Sequence, residues 1–217
     1  MTSLPADHKP QVIQQLLREW PPGYGGIERV AHELAMVWGG AVWSLDAQGR
    51  SLSEQDAIPA SYPRRRLPRT PPMGRLVLPV PSAQLWSLLR SDQPLHGHLP
   101  SIGVLLVLLL AALVRPRRRV TAHWHFFFEP ASGFKGRFFG IYQWLALRVV
   151  SWLSGVITTS PLLQDELVRC GCRLERVAVL PCCLSDDEEA AALVATHSSA
   201  QMQDNPMMRV LFIGRLG

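Results

Sequence analysis

Lysine is nearly absent from this sequence: of 22 basic residues only Lys9 and Lys135 are lysine, and the rest are arginine. Arginine stays charged at any biological pH and grips phosphate through a planar fork, so the net charge of +5 points to anionic, phosphate-bearing partners. A coding bias toward arginine would give the same count. Cysteine is scarce as well, with Cys170, Cys172, Cys182 and Cys183 crowded into one short stretch. Their C-x-C and C-C spacings lack the wider knuckle that structural zinc favours. Residues 1–10 have neither the basic start nor the apolar run of a secretory signal, so free thiols and a cytoplasmic location are expected. A membrane-spanning run is missing too. The longest apolar stretch, Ile102 to Val114, would reach about 20 Å as a helix against about 30 Å of bilayer hydrocarbon. That leaves a buried or an interfacial helix. Neither G-x-G-x-x-G nor a Walker P-loop occurs, so dinucleotide binding and ATP hydrolysis find no support.

What is present is apolar material: 47% of the 217 residues are hydrophobic, which excludes a disordered polar chain and a collagen-like one. Residues 11–20 are mixed and compatible with strand or helix. A glycine-rich loop, Pro21-Pro22-Gly23-Tyr24-Gly25-Gly26, then opens an amphipathic helix in which Ile27, Val30, Ala31, Leu34 and Trp38 recur at helical spacing. Glycines before a helix let a phosphate or sugar approach the backbone, whose first N–H groups are unpaired; a plain turn is the simpler alternative. Gly39-Gly40 ends the helix and 41–46 reads as a strand. Residues 47–75, polar and proline-rich with Arg64, Arg65, Arg66, Arg69 and Arg75, read as a solvated mobile loop, or as a cationic patch facing phosphate or membrane. A short strand at 75–80, a helix at 82–90 and the apolar helix at 102–114 follow. Beyond them come an aromatic strand and loop at 120–128, a strand at 156–160 and a helix capped by Ser160 with Pro161 at its first position and Gly171 as its stop. A last strand lies at 176–181. This alternation predicts an α/β, Rossmann-like, doubly wound parallel sheet.

Several short segments, in order, resemble the family 4 glycosyltransferases of GT-B fold. They are Gly25-Gly26-Ile27-Glu28-Arg29-Val30, Leu95-His96-Gly97-His98-Leu99-Pro100, Val120-Thr121-Ala122-His123, Ile157 to Pro161 through Arg176 to Pro181, and Leu211 to Gly217. The resemblance implies a Rossmann-like acceptor-side domain at 1–197, a linker at 198–208, and at 209–217 the first strand and turn of an incomplete donor-binding domain. By the same resemblance, a sugar passes from a nucleotide-sugar donor to a glycan or lipid-linked acceptor with retention. His123 then lies beside the transferred sugar, Gly25 and Gly26 close over the donor diphosphate, and Arg215 neutralises that diphosphate as it leaves. Glu28 and His98 contact the acceptor; Glu28 reads equally as a first-turn carboxylate favoured by the helix dipole. No cofactor and no metal are implied.

Two patterns carry readings besides that family's. His96/His98 and His123/His125 are H-x-H pairs, and in a strand each pair points one way, which fits a metal-dependent hydrolase. The resemblance argues against that reading, because its mechanism uses no metal. Residues 134–152 combine Phe138, Phe139, Tyr142, Trp144 and Trp152 with Lys135, Arg137 and Arg148 and carry no acid. That composition suits a peripheral surface on anionic lipid headgroups, and equally a packed helix with a cationic edge. A non-catalytic basic domain that binds anionic membrane or glycan is the alternative function. Nucleic acid is not an expected partner, since the cations form no recognised module.

Overall fold

The computed structural model describes residues 12–21, 25–47, 60–74, 76–129 and 132–181. The expected linker and the start of a second domain, 198–217, lie outside them, as do Cys182, Cys183 and Arg215. Residues left open between strand and helix form β1 (Ile13–Leu17). It leads through α1 (Gly26–Trp38) to β2 (Gly39–Ser44) and β3 (Arg64–Arg66). From there α2 (Ala83–Arg90) returns the chain to β4 (Leu95–Leu99), and α3 (Ile102–Val114), β5 (Val120–Trp124), α4 (Gly133–Trp152), β6 (Gly155–Thr158), α5 (Pro161–Arg169) and β7 (Val177–Val179) follow. The seven strands form one sheet in the order β3-β2-β1-β4-β5-β6-β7, every pair parallel. This is the expected doubly wound Rossmann-like sheet. Its strand order reverses between β1 and β4, where such sheets open a crevice at the carboxyl ends of their strands.

Side chains of a strand alternate between faces, and two cores result. Leu16, Trp43, Leu95, Ala122 and Trp124 pack with Val104, Val107, Leu108 and Ala111 of α3 and with Tyr142, Ala146 and Val150 of α4. On the other face Leu17 and Val42 meet Ala31 and Ala35 of α1, together with Tyr62. The apolar segment 102–114 is therefore a core helix, capped by Ser101, whose hydroxyl accepts from the Val104 N–H. Burial of Leu105 and of Leu108 is worth about 2 kcal/mol each. Helix α1 buries its small residues rather than the larger ones of the expected stripe: Ala31 and Ala35 are fully buried, while Ile27, Val30, Leu34 and Trp38 are only half-buried. Alanines let the helix come close enough for the Gln15 amide to donate to the Ala31 carbonyl at 3.1 Å.

Two expectations along the chain are corrected. The arginine run is not a solvated loop: Arg64–Arg66 is β3, in parallel register with Val42, Trp43 and Ser44. Its side chains are held by aromatic faces and by a carboxylate, with Arg65 over Trp43 at 5.1 Å, Arg66 over Trp20 at 4.1 Å, and Arg66 Nε 3.0 Å from Asp46 Oδ2. The strand expected at 75–80 does not form. Met73 and Leu76 make one antiparallel bridge and Arg69 and Pro79 another, and the prolines at 68, 71, 72, 79 and 81 have no N–H with which to extend a ladder.

Candidate functional site

The N-terminus of α1 stands just past the end of β1, beside the switch point. Its N-cap is Gly25, extended at φ −96° and ψ 155°, which has no side chain with which to cap the helix. The Gly25 carbonyl closes the first turn by accepting from the Arg29 N–H at 3.2 Å. The first N–H groups of the helix are thus left to solvent or to an anion. Glu28 curls back over Gly25, so that a Cβ there would run into its carboxylate, whereas a Cβ on exposed Gly26 would meet nothing. Gly25, Gly26 and Glu28 form one local unit, with the carboxylate in the first turn where the helix dipole favours it.

The two histidine pairs come together on the sheet face that carries α1. Gly97 faces the other way, where a Cβ would collide with Leu108 of α3, so its neighbours His96 and His98 turn toward α1. Parallel register then sets His98 beside His123 and His96 beside Thr121. The rings of His98 and His123 stack at 5.5 Å, His123 and His125 at 4.1 Å, and Trp38 lies edge-on against His96 at 5.3 Å. His96, His98 and His123 are buried, and His125, one step beyond β5, is half-buried.

Hydrogen bonds fix part of this cluster. Because the Gln15 amide nitrogen donates to Ala31, its Oε1 is left to accept from His98 Nε2–H at 2.8 Å. His98 Nδ1 therefore carries the lone pair, and it lies 3.1 Å from His125 Nε2. His96 Nδ1 is 2.8 Å from Thr121 Oγ1. His96 Nε2 and both nitrogens of His123 are buried with no hydrogen-bond partner among the described residues. Burial disfavours the charged imidazolium throughout: the pKa falls to about 3 at His96, about 4 at His123 and about 2 at His125, and lies well below the usual value at His98. The residues present four neutral imidazoles with lone pairs rather than positive charges. They suit hydrogen bonding to hydroxyls, or coordination. Gln15, Thr121 and Trp38 escape a reading by motif; the one signal for Gln15 is an amide inside a strand whose other residues are largely apolar.

The arginines divide. Arg118 is buried, donating from Nε to the Gln93 carbonyl at 2.7 Å and from Nη1 to Leu88 at 2.8 Å, and burial lowers its pKa to about 10. Arg115 pairs with Asp92 at 2.7 Å. By contrast Arg137 and Arg148 are exposed on α4, with Arg148 over the Trp144 ring at 5.5 Å. Phe138, Ile141, Trp144, Leu145 and Trp152 are exposed beside them, on the side opposite buried Tyr142, Ala146 and Val150. Among the described residues, no helix is long and apolar enough to cross a membrane.

The profile of Glycosyltransferase Family 4 matches residues 24–188, which take in the last residues of the glycine loop, both histidine pairs and all strands from β2 to β7. The chain belongs to glycosyltransferase family 4. The fold of this family 4 chain is also that of Anabaena HepE. The structure solved with UDP and glucose is 14% identical, with 88% of this chain and 51% of that one covered and a TM-score of 0.52. For the structure solved with UDP the figures are 15%, 87%, 50% and 0.51, and for that with UDP-glucose they are 16%, 86%, 50% and 0.55. The family 4 chain spans about half the length of these matches. No curated protein sequence matches it.

Proposed function

We propose that this chain forms the acceptor-side half of a retaining glycosyltransferase that moves a sugar from a nucleotide-sugar donor to a lipid-linked or cell-surface glycan at the cytoplasmic face of a membrane. The observation that carries the reading is the pairing, at the carboxyl edge of the sheet and beside its switch point, of an uncapped glycine helix start with a cluster of neutral histidines. The helix start suits a diphosphate, whose charge meets N–H dipoles. The histidines suit sugar hydroxyls: His123 beside the transferred sugar, His98 toward the acceptor with its tautomer set by Gln15. His123 reaches a sugar once the half-buried ring of His125, stacked over it, swings aside. Glu28, at the mouth of the glycine loop, accepts hydrogen bonds from acceptor hydroxyls. By family resemblance Arg215 offsets the charge of the leaving diphosphate, so the transfer itself needs no metal. UDP and UDP-glucose are bound by HepE, which makes a uridine nucleotide sugar the first donor to try. The aromatic and cationic outer face of α4 supports the membrane placement.

The test is transfer from labelled UDP-glucose into a lipid extract of membranes, with the anomeric configuration of the product read by NMR. An α-linked product that disappears in His123→Ala supports the reading. A β-linked product sinks retention. Absence of transfer from every nucleotide sugar tried, even with a donor-binding half supplied, and with vesicle binding intact, would favour a non-catalytic basic domain instead.

A further inference from the structure

The transferase reading uses hydroxyl contacts from His98 and His123 and leaves His96, and the mutual geometry of all the rings, without a role. We propose that His96, His98 and His123 form a binding site for a divalent transition-metal cation of the zinc class. One nitrogen from each ring lies within 4.8 Å of the others. Zinc–imidazole bonds of about 2.0–2.1 Å place tetrahedral ligands about 3.4 Å apart, so the rings close on an ion by side-chain rotation of roughly 1.4 Å. Three neutral imidazoles with a fourth position open are an established donor set for zinc, and no carboxylate is required.

Each ring keeps a lone pair that an ion takes up once the stacked rings turn toward it. When His96 Nδ1–H donates to Thr121 Oγ1, its lone pair falls on Nε2, the buried atom without a partner. The chain from Ala31 through Gln15 to His98 Nε2–H leaves the His98 lone pair on Nδ1. His123 has no partner at either nitrogen, so each of its tautomers offers a free lone pair. A buried polar atom left unpaired is costly, and coordination would satisfy His96 Nε2 and one of the two His123 nitrogens. Thr121 and Gln15 play the part that outer hydrogen bonds play at metal sites, fixing ring orientation and tautomer. His125 is the entry. It is half-buried, stacked on His123, with Nε2 3.1 Å from His98 Nδ1, close to the spacing of two ligands on one ion. By turning it either admits the ion or becomes the fourth ligand. The ion would occupy the lone pairs that the transferase reading turns toward sugar, so metal and sugar exclude one another.

The test is titration of the full chain, freed of metal by chelator, with cobalt(II), followed by zinc competition. The expected result is one cobalt per chain, the visible d–d band of a four- or five-coordinate nitrogen site, no thiolate charge-transfer band, and displacement by one zinc. His96→Gln and His123→Asn should each weaken binding at least tenfold, and replacing Cys170 and Cys172 by serine should leave it unchanged. Absence of stoichiometric cobalt uptake, a thiolate band, or affinity within threefold of wild type in both histidine variants would overturn the proposal. Should those variants not fold, imidazole 15N resonances of the wild-type chain decide: three rings shifted by one equivalent of zinc support the site, and unshifted rings end it. None of these readouts involves sugar transfer, so the site and the transferase reading fail separately.

Discussion

At the scale of single residues, the glycines separate structural from functional demands. Gly40 sits where β2 passes β1, and a Cβ there would overlap the Ile13 carbonyl oxygen and lie 2.9 Å from the Gln14 N–H nitrogen. Both obstacles are backbone and cannot turn away, so Gly40→Ala should cost about 3 kcal/mol or more in urea denaturation. At Gly25 the obstacle is the far end of the Glu28 side chain, which can rotate. Gly25→Ala should therefore stay within about 1 kcal/mol of wild type while losing sugar transfer. Equal destabilisation of the two variants would contradict this account. The sequence marks both positions as glycines of one motif-bearing helix; only the register of β1 against β2 tells which one is a packing requirement. Histidine chemistry behaves similarly. The H-x-H spacing puts two rings on one side of each strand, but their convergence depends on His98 being registered with His123, a pairing that no local pattern states.

At the scale of elements, legibility followed hydrophobic pattern and capping. Helix α5 shows it: Ser160 accepts from the Leu163 N–H, Pro161 opens the helix, and Gly171, at φ +101°, turns the chain after it. Strand β3 was invisible because three arginines have no apolar alternation to read. An edge strand needs only a backbone ladder on one side, and Trp20, Trp43 and Asp46, distant in sequence, supply the contacts that hold its cations. That assignment ties Arg66 to Trp20 and Asp46, while α4 carries the larger cationic and aromatic outer face. Its exposed stripe of Arg137, Ile141, Trp144, Arg148 and Trp152 repeats every three or four residues along one side. Each juxtamembrane arginine is worth about 1 kcal/mol against anionic lipid, so Arg137→Ser with Arg148→Ser should weaken sedimentation with phosphatidylglycerol vesicles about thirtyfold. The same pair should move thermal stability by less than about 0.5 kcal/mol, since both side chains are exposed. Binding to neutral vesicles at the wild-type level of anionic ones would remove the membrane face.

At the scale of the whole molecule, four histidines held neutral make folding itself sensitive to acid. In the metal-free chain His96, His123 and His125 titrate at about 3, 4 and 2, and His98 lies well below its usual range, all because burial excludes the charged ring. In the unfolded chain each returns to about 6.5. Between those limits the unfolded state binds protons that the folded state does not, so stability is complete above about pH 6.5 and is lost as pH falls below it. Each group contributes up to about 1.4 kcal/mol per pH unit below about pH 6.5, so together they remove a large part of the stability of an ordinary domain by pH 5. Urea midpoints measured from pH 8 to pH 5 should be level down to about pH 7 and then fall steeply, with about four protons taken up on unfolding near pH 5. Replacing His96 and His125 by glutamine should halve that uptake in whatever protein folds. A flat profile from pH 7 to 5 would mean that the rings are not buried together as neutral imidazoles. The geometry behind both the sugar contacts and the cation site would then fall with it.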